Sequence, residues 1–159
     1  MTTEDQARKL AKLKGHKSKS LGEVGELIAR RALIDLGYAF IHRINTPWII
    51  KRGANGKILS AHAGNKVAGD WRAVHPASGR SILVEVKLRD SDTLAYSDLE
   101  KHQHRSLHEH HEAGGTSLIV WVHERVPYVL RYPVEGFKPR SSIKIADAVA
   151  WDILKECYK

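Results

Sequence analysis

The chain has 159 residues, 42% apolar and 28% charged, with a formal net charge of +8. That is one ordinary soluble, globular domain with room for a real core, and its basic balance favours a polyanionic partner: nucleic acid or an anionic membrane surface. No apolar run approaches transmembrane length and the first residues carry no signal-peptide pattern, so nucleic acid is the better expectation, with no membrane. Cys157 is the single cysteine. It cannot make an internal disulfide and is compatible with a reducing cytoplasm, the expected location.

Residues 1–20 are expected to be a basic, flexible N-terminal arm, and 21–159 a single domain. From Gln6 to Gly22 there is no acid, against Arg8, Lys9, Lys12, Lys14, Lys17 and Lys19. Such a run is either a solvated tail or a phosphate-binding arm. Leu21 to Leu36 reads as a helix ending at Gly37, a good residue to follow a helix. Leu21, Val24 and Ile28, with Ala29, Ala32, Leu33 and Leu36 on a second line, supply its apolar side. Gly22 and Gly25 suggest close approach of another backbone. Glu23 and Glu26, three apart, are neighbours that either complement the helix dipole or face a site.

Tyr38 to Ile44 reads as a strand. Thr46-Pro47-Trp48-Ile49-Ile50 follows, and its proline argues against a central strand. Lys51 to Lys66 is rich in Gly, Asn and Lys, a basic excursion with a strand from Lys57 to Ala61. Trp48 and Trp71 read as packing residues, with base stacking as the alternative. Gly69 to Lys87 then reads as a hairpin: Trp71 to His75, a turn at Pro76-Ala77-Ser78-Gly79, and the apolar strand Ser81 to Leu88. Asp70 precedes it. Glu85 and Lys87, two apart on a strand, share a face. A carboxylate and an ammonium inside an apolar strand need a reason, because unpaired buried charge is costly. A cross-strand ion pair at a solvated edge is one. A metal site is the other: two carboxylates hold a hard cation, and a lysine beside them polarises a phosphate or a water.

Asp90 to Tyr96 reads as a loop. Ser97 is the expected N-cap, boxed with Glu100, of a helix running to Ala113 and stopped by Gly114-Gly115. Gln103 lies in its apolar stripe between Leu99 and Leu107, so it is either a satisfied core glutamine or faces the site of Glu85 and Lys87. His104, His108 and His111 share a face that could suit a transition metal, although no fourth ligand follows from spacing. A solvated or phosphate-facing surface is the better expectation. Thr116 to His123, apolar on both faces like a central strand, pairs with Pro127 to Tyr132. After a short extended piece at Ile143, a helix is expected from Asp147 to Tyr158. The order is a mixed central sheet flanked by helices, an α/β (α+β) fold.

Asp70, fourteen intervening residues, then Glu85-Val86-Lys87 resembles the core of the PD-(D/E)XK nucleases, with Gly69 where the family has proline. A helix bearing an acid precedes the hairpin and Gln103 follows it. His102-Gln103 and Gly114-Gly115-Thr116-Ser117-Leu118-Ile119-Val120 are similar to the corresponding part of RecU-type Holliday-junction resolvases. Thr46-Pro47-Trp48 also echoes that group. The Gly22-x-x-x-Glu26…Leu36-Gly37-Tyr38 frame looks like archaeal-type resolvases, where Glu26 rather than Glu23 falls on the first-helix glutamate. The resemblance spans Gly22 to Pro133. The excursion Lys51 to Lys66 does not evidently match the RecU-type stalk.

The resemblance implies a restriction-endonuclease-like core and Mg²⁺- or Mn²⁺-dependent hydrolysis of DNA phosphodiesters. Asp70, Glu85 and the Val86 carbonyl would hold the metal, and Glu26 would join directly or through water. Lys87 would orient or activate the water and stabilise developing charge; Gln103 would position the water or the scissile phosphate. Arg30, Arg31, Arg43, Lys51, Arg52, Lys57 and Arg72 are candidates, with the arm lysines, for gripping the DNA backbone; each could equally be a solubility charge. Symmetric cutting of a four-way junction implies a C₂ homodimer. The leading expectation is a Holliday-junction resolvase acting in DNA recombination and repair. The alternatives are a nuclease of the same fold with another DNA target (restriction-like, nicking or repair), or a non-catalytic nucleic-acid-binding module.

Overall fold

The computed structural model describes residues 21–64, 67 and 69–150. The basic arm with Lys9, Lys12, Lys14, Lys17 and Lys19, the residue Cys157 and most of the expected last helix lie outside the described residues.

A six-stranded mixed sheet forms the centre, in the order β1 (Ala39–Arg43), β4 (Trp71–Val74), β5 (Ser81–Leu88), β7 (Thr116–His123), β8 (Val126–Tyr132), β10 (Val149–Ala150). β5 and β7 run parallel, with Ile82 opposite Thr116 and Leu88 opposite Val122; the other pairings are antiparallel. The parallel pair needs a crossover, and α2 (Lys101–Glu112) supplies it. Alternation along the two central strands sorts their side chains into two layers. Ile82, Val84, Val120 and Val122 pack with Ala29, Ala32 and Leu33 of the first helix, α1 (21–35). Leu83, Ile119 and Trp121 pack with Leu99 and with Leu107 of α2. Both faces of β7 are therefore covered, as its unbroken apolar run requires.

The expected elements are present with four corrections. On α1, Leu21 and Val24 are exposed while Ala29, Ala32 and Leu33 are buried, so the second line, with Ile28 half-buried beside it, meets the sheet. Gly25 packs at ordinary contact distance on Leu88, 3.5 Å from where its Cβ would lie, whereas Gly22 faces nothing within 4 Å. The loop before α2 contains a strand, β6 (Thr93–Ala95), paired with β9 (Ser142–Lys144), and a 3₁₀ turn Tyr96–Asp98. The helix therefore starts at Lys101 with Glu100 as N-cap instead of Ser97. Finally, the expected C-terminal helix does not begin at Asp147: a 3₁₀ turn Ile145–Asp147 leads into β10, which extends the sheet along β8. Val149 is β-branched and its backbone finds a ladder partner in Val129, which outweighs its helical spacing.

The excursion folds into a ribbon of its own. β2 (Trp48–Arg52) and β3 (Ile58–Ala63) pair only with each other, so the proline at 47 does precede a non-central strand. Trp48, Ile49, Ile50, Ile58 and Leu59 are all exposed on it, so Trp48 is not a core residue; Trp71 is buried.

Candidate active site

The start of β4 and the second half of β5, side by side in the sheet, gather the charged residues. Gly69 turns the chain with φ +74°. A Cβ there would lie 2.7 Å from Leu83 Cδ1 and 3.0 Å from the Val84 carbonyl oxygen, so glycine is required both by conformation and by space. The next residue is thereby pinned to β5. The Asp70 N–H donates to the Val84 carbonyl at 2.7 Å, and Asp70 Oδ2 accepts the Val86 N–H at 2.6 Å. In an extended strand the N–H and C=O of one residue point to the same edge, so the Val86 carbonyl faces the edge that Asp70 occupies.

Glu85 and Lys87 project from the opposite side of β5 to Val84 and Val86, toward α2. Lys87 Nζ lies 2.9 Å from Glu85 Oε1, with the two side chains 14% and 3% exposed. The pair is a buried one, not the solvated edge pair that spacing alone allowed. Gln103 completes it. Its Oε1 accepts from Lys87 Nζ at 2.9 Å and from the Glu100 N–H at 2.8 Å, and its Nε2 donates to Glu85 Oε1. These partners fix which end of the amide is which. Gln103 is thus satisfied and faces Glu85 and Lys87 at once.

The carboxylates disturb one another. Burial, and then the negative charge of Asp70, push the Glu85 carboxyl up to about 7. Burial also raises Asp70, against the opposing pull of the Val86 N–H, Lys87 and Arg43. Glu26 on α1 is raised by burial and by Asp70, while Arg43 lowers it. Glu26 therefore belongs to the same electrostatic cluster, and Glu23 is exposed. Arg43 at the end of β1 grips Glu26, its guanidinium 2.9 Å from Oε1 and 2.7 Å from Oε2. In the sequence Arg43 is a candidate either for DNA grip or for a solubility charge. Its contact with Glu26 depends on β1 lying beside β4, which no local signal announces.

The donor set fits a hard divalent cation. Asp70 Oδ1 and Glu85 Oε2 have no hydrogen bond among the described residues, although each carboxylate's other oxygen is committed. Two mutually repelling carboxylates with free oxygens match the chemistry of Mg²⁺, which takes one or two carboxylates and completes its shell with water and substrate phosphate. Among the described residues no three His, Cys, Asp or Glu side chains stand together as a cage. That holds for the α2 histidines also. His104 is buried against the Tyr96 carbonyl (2.9 Å) and the Tyr132 hydroxyl (3.3 Å), and His108 is exposed.

The basic residues are scattered around this centre. Arg30 and Arg72 are exposed, Arg31 pairs with Asp35 at 3.0 Å, and Lys51, Arg52 and Lys57 belong to the β2–β3 ribbon and its turn. No described helix is long and apolar enough to cross a membrane.

The chain matches no protein-family model and no curated protein. Among solved structures it is similar to Hjc of Archaeoglobus fulgidus, a Holliday junction resolvase from an archaeal hyperthermophile. The TM-score is 0.53 and the identity 14%, over 85% of this chain and 100% of that one. The likeness is one of fold: a mixed central sheet flanked by helices, the class expected from the sequence.

Proposed function

We propose that this protein is a metal-dependent DNA endonuclease of the PD-(D/E)XK type, and that its target is the four-way junction. The observation that carries the reading is the Asp70–Glu85 carboxylate pair with Lys87 and Gln103 locked onto it. The fold shared with a junction resolvase supports it, as does the net charge of +8.

Asp70, Glu85 and the Val86 carbonyl would hold Mg²⁺ or Mn²⁺, with Glu26 contributing through water. When bound, the cation neutralises charge on the scissile phosphate and makes its water a better nucleophile. Lys87, a fixed cation in a water-poor site, would stand beside the reacting phosphate and stabilise the charge that develops on phosphorus oxygens. Gln103 holds the Lys87 ammonium and the Glu85 carboxylate in register. Arg43, paired with Glu26, would meet a DNA phosphate arriving beside that carboxylate. Two such sites in a C₂ homodimer would cut opposed strands of a junction symmetrically.

Incubation of a synthetic four-way junction and a matched linear duplex, with and without Mg²⁺, tests this. Paired symmetric nicks near the branch point, seen only with metal, are expected. Equal cutting of both substrates would leave a nuclease without junction preference. Binding without cutting under Mg²⁺ and Mn²⁺ would sink the enzyme reading.

A further inference from the structure

A pocket of about 280 Å³ opens at the far end of the sheet, lined by Tyr38, His75, Ser78, Arg80, Ile82, Thr116 and Arg131. Its floor, Ile82, is three residues before Glu85 on β5 and on the α1 side of the sheet. It is therefore separated from the carboxylate pair by roughly 10 Å of strand and by the sheet itself. No acid lines it, and two guanidinium groups do.

The turn between β4 and β5 prepares two donors. The Ser78 N–H donates to His75 Nδ1 at 3.3 Å, and the Ser78 hydroxyl lies 3.0 Å from the same nitrogen while accepting the Arg80 N–H at 3.3 Å. A ring nitrogen that accepts a backbone N–H carries no proton, so neutral His75 holds its proton on Nε2. That Nε2–H has no hydrogen-bond acceptor among the described residues, although the ring stands edge to face against Tyr38, centroids 5.9 Å apart. The Arg80 guanidinium likewise has no acceptor among the described residues. Arg31, Arg43, Arg89 and Arg105, by contrast, are held by Asp35, Glu26, Asp98 and Glu109.

We infer that this pocket is a phosphate-binding site, distinct from the hydrolytic centre, in which Arg80 and the His75 Nε2–H grip one phosphate group. Arginine presents a planar fork that matches phosphate oxygens, and a neutral imidazole N–H adds a donor that needs no low pH. The phosphate is either one of a nucleic-acid backbone or a free phosphate. Only the first source rests on the nuclease reading, where it would anchor DNA on the face opposite the cutting site.

Titration of the full-length protein with inorganic phosphate, without DNA or divalent metal, followed at the His75 imidazole by NMR, tests the site. A saturable shift is expected, reduced at least tenfold in affinity by Arg80→Ala and partly restored by Arg80→Lys. No saturable shift, or an equal one in Arg80→Ala, overturns the proposal. The salt dependence of junction binding by Arg80→Ala then identifies the source. A slope shallower by about 1 marks one lost backbone phosphate contact; an unchanged slope, with the parent protein still titrating with inorganic phosphate and Arg80→Ala impaired in it, marks a free-phosphate site. Absence of metal-dependent cleavage would defeat the nuclease reading without touching the phosphate titration.

Discussion

Lys87 and Gln103 meet through one hydrogen bond of 2.9 Å between the ammonium and the carboxamide oxygen, which joins the second strand of a hairpin to the first turn of the helix that follows it. The same oxygen accepts the Glu100 N–H at 2.8 Å. One atom therefore caps α2 and orients the lysine, so the helix cannot shift without moving the site.

Gln103→Ala should separate these roles. Loss of an outer partner that holds site residues typically costs 10–100-fold in activity, and loss of the cap contact about 1 kcal/mol of stability. Single-turnover cleavage with Mg²⁺ and urea denaturation measure the two. Gln103→Glu should be worse for the metal-free protein, because it aims a second carboxylate at Glu85. A Gln103→Ala enzyme with the parental cleavage rate would show that Lys87 needs no positioning.

Asp70→Asn and Glu85→Gln should each lower Mg²⁺-dependent cleavage by at least about 10²-fold, the scale of several kcal/mol of lost charge stabilisation. Junction binding in gel-shift assays should persist, since neither residue grips the backbone. Asp70→Asn should also stabilise the metal-free protein at pH 8. It removes the charge that raises Glu85 while keeping an oxygen for the Val86 N–H. If either variant cuts like the parent, these carboxylates do not hold the metal.

What the sequence made legible here is local. The hairpin, the strand apolar on both faces after α2 and the shared face of Glu85 and Lys87 could be read from alternation and spacing, because each depends on neighbours a few residues away; the grouping of Asp70, Glu85, Lys87 and Gln103 into one site came from the resemblance to the PD-(D/E)XK nucleases. The buried state of the Glu85–Lys87 pair could not. It follows from α2 closing over β5, which spacing does not encode. The hold of Arg43 Nη2 on both oxygens of Glu26 brings together residues 17 apart and needs the β1–β4 register. Val149 went astray for a related reason: helical spacing near the end of the chain competed with a free ladder on β8, and the ladder prevailed.

The raised Glu85 carboxyl sets a pH dependence whose sign is definite. Its folded value of about 7 lies above the ordinary 4.5, so the folded protein holds this proton more tightly than the unfolded chain. The stability it contributes is fully present below about pH 4.5 and is lost as pH rises through about 7, by roughly 3 kcal/mol at most. Asp70, also raised, acts in the same direction. Metal-free protein should therefore melt lower at pH 8 than at pH 5.5. Mg²⁺ should recover part of the loss at pH 8 and little at pH 5.5, since cation and proton compete for Glu85. Cleavage at limiting Mg²⁺ should fall as pH drops below about 7, and higher Mg²⁺ should move that limb downward. A melting temperature that rises from pH 5.5 to 8 without metal would contradict a buried, repelled pair.

Gly69→Ala tests whether the turn before Asp70 sets the geometry of the site. The positive φ costs an alanine about 1–2 kcal/mol, and its Cβ must displace the Leu83 side chain and press on the Val84 carbonyl that holds the Asp70 N–H. Gly79→Ala is the matched control: its φ is +65°, but nothing lies within 4 Å of the new Cβ. Both variants should lose stability in urea titrations through the positive φ, Gly69→Ala by more because of its clash with Leu83 and Val84. Only Gly69→Ala should lose cleavage by more than about tenfold under conditions where circular dichroism shows both folded, because misplacing a reacting group by about 1 Å can cost that much or more. Equal cleavage by the two variants would mean that Asp70 is placed by its bond to the Val86 N–H alone.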